Sequence, residues 1–192
     1  MPDWERALAS LGPGHYALHH RGPAAASRFA ARFSADGLAA GDAVVLAAEP
    51  AELERIALAL TGASIDVEQA QAGNHLLLVH ADAVQAEQLA TGLASFLGWV
   101  EEQAAGRPVR LWNHWAGALA EAGDWRGARA LEEAISGLGT GAIVACHLDL
   151  DRIGNVTPSL LESTPMLHDG LFLTDPEGAV EFTGRRLVAP LS

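Results

Sequence analysis

His20, His80, His114 and His147 each stand at or just after the end of an apolar, strand-like run, and Glu49, Asn113 and Asp149 hold equivalent places. If those strands are parallel neighbours, these side chains face one crevice, because open α/β sheets bind ligands at the carboxyl ends of their strands. Imidazoles and carboxylates converging there suit a polar small molecule or a transition metal. The candidate crevice is therefore His20, Glu49, His80, Asn113, His114, Trp115, His147 and Asp149, with His80, His114 and His147 as the ligands if a metal binds. Polar residues end strands in any α/β protein, and these histidines lack the close spacing of familiar zinc motifs. No resident cofactor is expected, and a metal is the one addition the residue types allow.

Covalent catalysis finds little support. All 12 basic residues are arginine, so a Schiff-base lysine and the P-loop lysine are both excluded. The loop HHRGPAAAS after the first strand has one glycine and no GxxxxGK[ST], which leaves phosphate cradling unsupported. Cys146 is the lone cysteine, so no intrachain disulfide forms, and its place on an apolar strand predicts a buried thiol rather than a nucleophile. No serine sits in a GxSxG turn. Glu132 and Glu133 read as a solvated helix surface, one of them paired with Arg129. Trp99, Trp112, Trp115 and Trp125 could wall an apolar pocket, although core packing is the commoner use of such residues. His19 and His20 should point to opposite faces of their strand.

The elements that position these residues follow from periodicity. The central unit runs from Arg107 to Asp151: a strand over Val109 to Trp112, helices near Trp115 to Ala122 and Arg126 to Leu138, and a strand over Ala142 to His147. Two apolar strands joined through helices make a βαβ unit, so they should be parallel with a right-handed crossover. Upstream, His15 to His19, Ala43 to Ala48 and His75 to Val79 read as further strands. Helices over 3–11, 24–40, 51–60 and 65–72 and a long one after a possible Asp82 cap separate them. A short helix is expected over 157–163, then a hairpin from Leu171 to Thr183 around Asp175 to Gly178. The expectation is one domain of 192 residues: a three-layer α/β sandwich with about five parallel strands and the hairpin as an added antiparallel edge.

The net charge of −12 argues against nucleic acid or an anionic membrane as direct partners. No signal-like or membrane-length apolar segment is present, so the expected location is the cytoplasm. An edge strand or the hairpin offers a surface for a homo-oligomer.

Several segments, in order, resemble the MEDS family, a sensory domain named for methanogens, methylotrophs and a dichloromethane-responsive regulator. They are Gly14 to Tyr16 (GHY), Asp36 to Asp42 (DGLAAGD), His80 to Ala83 (HADA), Pro108 to Trp115 (PVRLWNHW), Leu119 to Asp124 (LAEAGD), Ala130 to Glu133 (ALEE) and Val144 to Asp149 (VACHLD), with His168 near the family's late histidine. The likeness spans about residues 14 to 169. It departs where His114 replaces a glutamate after the fourth strand and Leu148 a tyrosine in the C-x-Y segment. The resemblance implies a RecA-like or KaiC-like fold without a working P-loop, serving as a non-catalytic input module in bacterial signal transduction and transcription regulation. It would bind a small ligand or act through a regulatory protein, a histidine kinase or transcription regulator. A metal-binding protein or metal-dependent enzyme using the strand-end histidines, and a degenerate nucleotide binder, are the alternatives.

Overall fold

The computed structural model describes residues 3–81, 83–137, 141–153, 167–174 and 180–184. The chain begins with α1 (Asp3–Ala9), β1 (Gly14–His20), α2 (Pro23–Ala40), β2 (Ala43–Ala48) and α3 (Pro50–Gly62). A short α4 (Val67–Ala72), β3 (Leu76–His80) and a long α5 (Ala83–Ala104) follow. Next come β4 (Val109–Asn113), α6 (Trp115–Glu121), α7 (Trp125–Gly137), β5 (Ile143–Asp149), β6 (Gly170–Thr174) and β7 (Val180–Gly184).

The strands form one seven-stranded sheet in the order β3-β2-β4-β5-β1-β6-β7. Every pairing from β3 through to β6 is parallel, and only β6 with β7 is antiparallel. The hairpin is therefore not wholly an antiparallel addition, since β6 extends the parallel sheet by pairing with β1. The expected βαβ unit is present, with β4 and β5 adjacent and parallel and α6 and α7 as the crossover. The helix expected over 157–163 and the Asp82 cap lie outside the described residues.

Central strands are apolar on both faces, which is why their sequences read as continuous runs. All six residues of β2 are buried. Val45, Leu111, Val144 and Cys146 face α5, α6 and α7, whereas Val44, Leu46, Trp112 and Ala145 face α1, α2 and α3. Helix α2 buries Ala26, Phe29, Ala30 and Phe33, a stripe at helical spacing, against the second of these faces. It ends at Gly41, whose left-handed φ of 83° lets its N–H reach Gly37 and Leu38 carbonyls. A buried ion pair ties this side together: Arg110 Nε donates to Asp42 Oδ2 at 2.6 Å.

Alternation along β1 and β5 divides their polar side chains between the two faces. Tyr16, Leu18 and His20 go to the α2–α3 side; His15, Ala17 and His19 go to the α6–α7 side.

Candidate functional site

The carboxyl ends of β1, β2, β4 and β5 open into a crevice of about 400 Å³ on the α2–α3 side. His20, Glu49, His114, His147 and Asp149 line it together, as the strand-end pattern anticipates. Parallel register produces this meeting: β5 lies between β4 and β1, so the ends of all three arrive side by side.

Three expected members are elsewhere. His80 is exposed at the end of β3, the edge strand beyond β2, and the distance across the sheet keeps it out. Asn113 points to the opposite face, where its Nδ2 donates to Cys146 Sγ at 3.0 Å. Trp115 opens α6 and packs edge-on against Phe96 in the α5–α7 core. The tryptophans likewise divide: Trp112 stacks on His147 with centroids 4.7 Å apart, while Trp99 and Trp115 both contact Phe96 on the other face. They form no common wall.

Glu52, Arg55 and Arg152 also line the crevice and were not among the expected residues, and Glu121 stands beside it against His114 and Arg152. Glu52 lies one turn after Glu49 in the segment Glu49-Pro50-Ala51-Glu52, so both carboxylates share the first turn of α3. Glu52 Oε1 is 3.3 Å from Trp112 Nε1 and 3.3 Å from His147 Nε2. Arg152 forks onto both oxygens of Glu49, at 3.1 and 3.0 Å, and reaches Glu121 at 2.9 Å, closing the rim. The i, i+3 pair Glu49/Glu52 was a visible signal; the reach of Arg152 depended on a loop path with no local signature.

Electrostatics differ sharply among the histidines. Burial holds His20 and His147 below the ordinary imidazole range, and neighbouring imidazoles add to this in both. His20 Nε2 and His147 Nδ1 are 3.1 Å apart. Burial also opposes charge on His114, but Glu121, Glu52 and Glu49 outweigh it and raise its pKa. Burial raises Glu52, whereas the Arg152 fork lowers Glu49. Neutral imidazoles, a charge-prone one and carboxylates of unequal basicity thus face one space.

Several polar atoms here lack an aligned partner. His114 Nδ1 and Nε2, His147 Nε2 and Glu121 Oε1 are buried without a hydrogen bond, although His114 Nε2 lies 3.3 Å from Glu121 Oε1, close enough for charges to attract. Ligand atoms of Glu52, His114 and His147 fall within 4.8 Å of one another, as do those of Glu49, His114 and Glu121. Among the described residues that line the crevice, none is a serine or a cysteine.

The loop after β1 is committed to the protein itself. Gly22, at φ 73°, donates its N–H to Asp149 Oδ1 at 3.2 Å, and the N–H of Arg21 goes to Thr174 Oγ1 at 3.2 Å. Pro23, the first residue of α2, has no N–H. The N–H groups of Arg21 and Gly22 are thus taken up by side chains, whereas the first turn of α2 carries no side-chain cap.

A mainly parallel sheet between helix layers, with its crevice at the strand ends, is a three-layer α/β fold, and its likeness among solved structures is to KaiC-like proteins. Consistent with this, a KaiC-like protein of the hyperthermophilic archaeon Pyrococcus horikoshii OT3 superposes with a TM-score of 0.64 at 13% identity, over 92% of this chain and 80% of that one. A prototypical ATPase from the type III secretion system of pathogenic bacteria does so with a TM-score of 0.58 at 15% identity, over 90% of this chain and 55% of that one. Such identities show a shared fold. The model of MEDS, the methanogen/methylotroph, DcmR sensory domain, matches residues 14–159, and the chain belongs to that family. No curated protein is similar enough in sequence to match. No helix among the described residues is long and apolar enough to cross a membrane.

Proposed function

We propose that this chain is a non-catalytic sensory or regulatory module that binds a small polar ligand in the strand-end crevice and passes its state to a protein partner, a histidine kinase or a transcription regulator. The observation that carries the reading is a cavity of about 400 Å³ lined by His20, Glu52, His114 and His147, in which Nε2 of His114 and of His147 meets a carboxylate oxygen only at 3.3 Å and without hydrogen-bond alignment. Buried polar atoms are nearly always paired, so a ligand that pairs them is the simplest completion of the site. Membership of a sensory family supports the same reading. Occupied loop amides and the absence of lysine support binding without nucleotide hydrolysis.

The test is a thermal-shift screen of small polar metabolites, with MgATP included, followed by native mass spectrometry of the hits. A ligand that raises Tm for the wild type and not for His114→Ala or His147→Phe fits the proposal. Steady ATP turnover lost in Glu49→Gln would replace it with an ATPase. A second reading, a divalent metal on Glu52, His114 and His147, is favoured by the convergence of their ligand atoms. Unlike the set read from sequence, it leaves out His80.

A further inference from the structure

On the other face of the sheet, away from the crevice, a second cluster brings together His15 of β1, Cys146 of β5, Glu132 of α7 and His168 just before β6. Their four ligand atoms lie within 4.8 Å of one another. His15 Nε2 is 2.9 Å from Cys146 Sγ and 3.0 Å from Glu132 Oε2, and His168 Nε2 is 3.1 Å from the same carboxylate oxygen. We propose that these four residues form a closed, four-coordinate site for one Zn²⁺ ion.

The hydrogen-bond pattern around His15 supports this independently of proximity. Ser136 Oγ donates its one hydrogen to the Leu167 carbonyl at 2.6 Å, so His15 Nδ1, 2.8 Å away, must donate to Ser136. With Nδ1 committed to Ser136, Nε2 is the ring atom directed at the Glu132 carboxylate and the Cys146 sulfur. Without a metal a proton lies among these three atoms; a metal takes its place, with Nε2, the carboxylate and the sulfur as ligands. An imidazole whose far N–H is held by a neighbour is the usual state of a metal-bound histidine. Asn113 Nδ2 donates to Cys146 Sγ at 3.0 Å, the contact a bound thiolate needs.

Charge and size agree. One thiolate and one carboxylate neutralise a divalent ion, and two neutral imidazoles add nitrogen donors, so a neutral complex occupies a buried position. Tetrahedral zinc separates its ligand atoms by about 3.3 to 3.6 Å, so the nitrogen–oxygen contacts need open by about 0.3 Å and the nitrogen–sulfur contact by about 0.6 Å. Glu132, Cys146 and His168 also line a cavity of about 40 Å³, which gives that movement room. Burial pushes the Cys146 thiol well above its ordinary range, so metal uptake releases its proton and strengthens as pH rises.

The experiment uses the full chain, stripped with chelator and titrated with Zn²⁺ against a chromogenic competitor, then with Co²⁺ as a spectroscopic probe. The expected result is one equivalent of metal, with a thiolate-to-cobalt charge-transfer band and intense visible bands of a four-coordinate ion. Cys146→Ser should abolish the charge-transfer band, and Ser136→Ala should weaken binding by about 10–100-fold. Circular dichroism identifies variants that fold, and Glu132→Gln serves if Cys146→Ser does not. Absence of stoichiometric binding overturns the proposal. So does metal that survives Cys146→Ser and His168→Ala but is lost from His114→Ala, which would place it in the crevice instead.

Discussion

His20 Nε2 and His147 Nδ1 stand 3.1 Å apart across neighbouring strands, two buried imidazoles that share one hydrogen and cannot both be charged. Burial lowers both pKa values, and it lowers that of His19 on the opposite face to about 4. Each has a lower pKa folded than unfolded, so the unfolded chain takes up more protons as pH falls below about 6.5. Stability from these groups is therefore full above that pH and is lost progressively toward pH 4. For His19 alone the loss is roughly 3 kcal/mol. His114, raised by Glu121, works oppositely and loses its contribution as pH rises through its folded value. The large shift of His19 sets the trend, so urea unfolding should show falling stability from pH 7 to pH 4, with His114 and the raised Glu52 working against it. His19→Gln should flatten that slope, and an unchanged slope would contradict the assignment.

Asp42 and Arg110 are nearly inaccessible, with side-chain exposures of 9% and 7%. Removing one member of a buried pair strands the other charge and costs about 3–5 kcal/mol. Asp42→Ala should lower the urea midpoint accordingly with little change in m. The exposed pair Arg129–Glu133 offers the contrast, since Glu133→Ala should cost less than about 0.5 kcal/mol. Similar losses at both sites would mean that Arg110 finds another partner.

Gly117 lets α6 sit directly on β5. A Cβ there would lie 2.6 Å from the His147 carbonyl oxygen and 2.8 Å from His114 Nδ1. Backbone on one side and a buried ring on the other leave neither free to yield, so Gly117→Ala must lift the helix or turn His114. Overpacking of this kind costs about 1–3 kcal/mol. Crevice binding should fall with it, and retention of both stability and ligand shift would show that α6 moves freely.

Periodicity made most of this architecture legible. The apolar runs of β1, β2, β4 and β5, and the polar residues that end or follow them, placed His20, Glu49, His114, His147 and Asp149 in one crevice. Strand order was not legible, because it is set by long-range pairing, and β3 takes the edge of the sheet, which puts His80 outside the crevice where it was expected. Asn113 and Trp115 flank His114 but pack on the other side of the sheet, Asn113 because strand residues alternate in facing and Trp115 because it opens α6. Glu132 looked like a solvated surface beside Glu133. Only Glu133 meets Arg129, at 2.8 Å, while Glu132 turns inward to His15 and His168. The segments that carry the MEDS likeness, GHY, ALEE and VACHLD, with the late His168, each place one residue in that inner cluster, yet no local spacing joins them.

His168 lies two residues before β6, and its neighbour Asp169 accepts the His15 N–H through Oδ2 at 2.9 Å while its own N–H donates to the His15 carbonyl at 2.6 Å. A metal on His15, Glu132, Cys146 and His168 would therefore fasten the β6–β7 hairpin to β1 and α7. A ligand held at 100 times its dissociation constant stabilises the folded state by about 2.7 kcal/mol. Chelation should lower Tm in step with that figure and raise amide hydrogen exchange most in residues 167–174. Exchange in β3, at the far edge of the sheet, should stay unchanged. Uniform acceleration across the sheet would indicate global loosening and count against a local clamp at the hairpin.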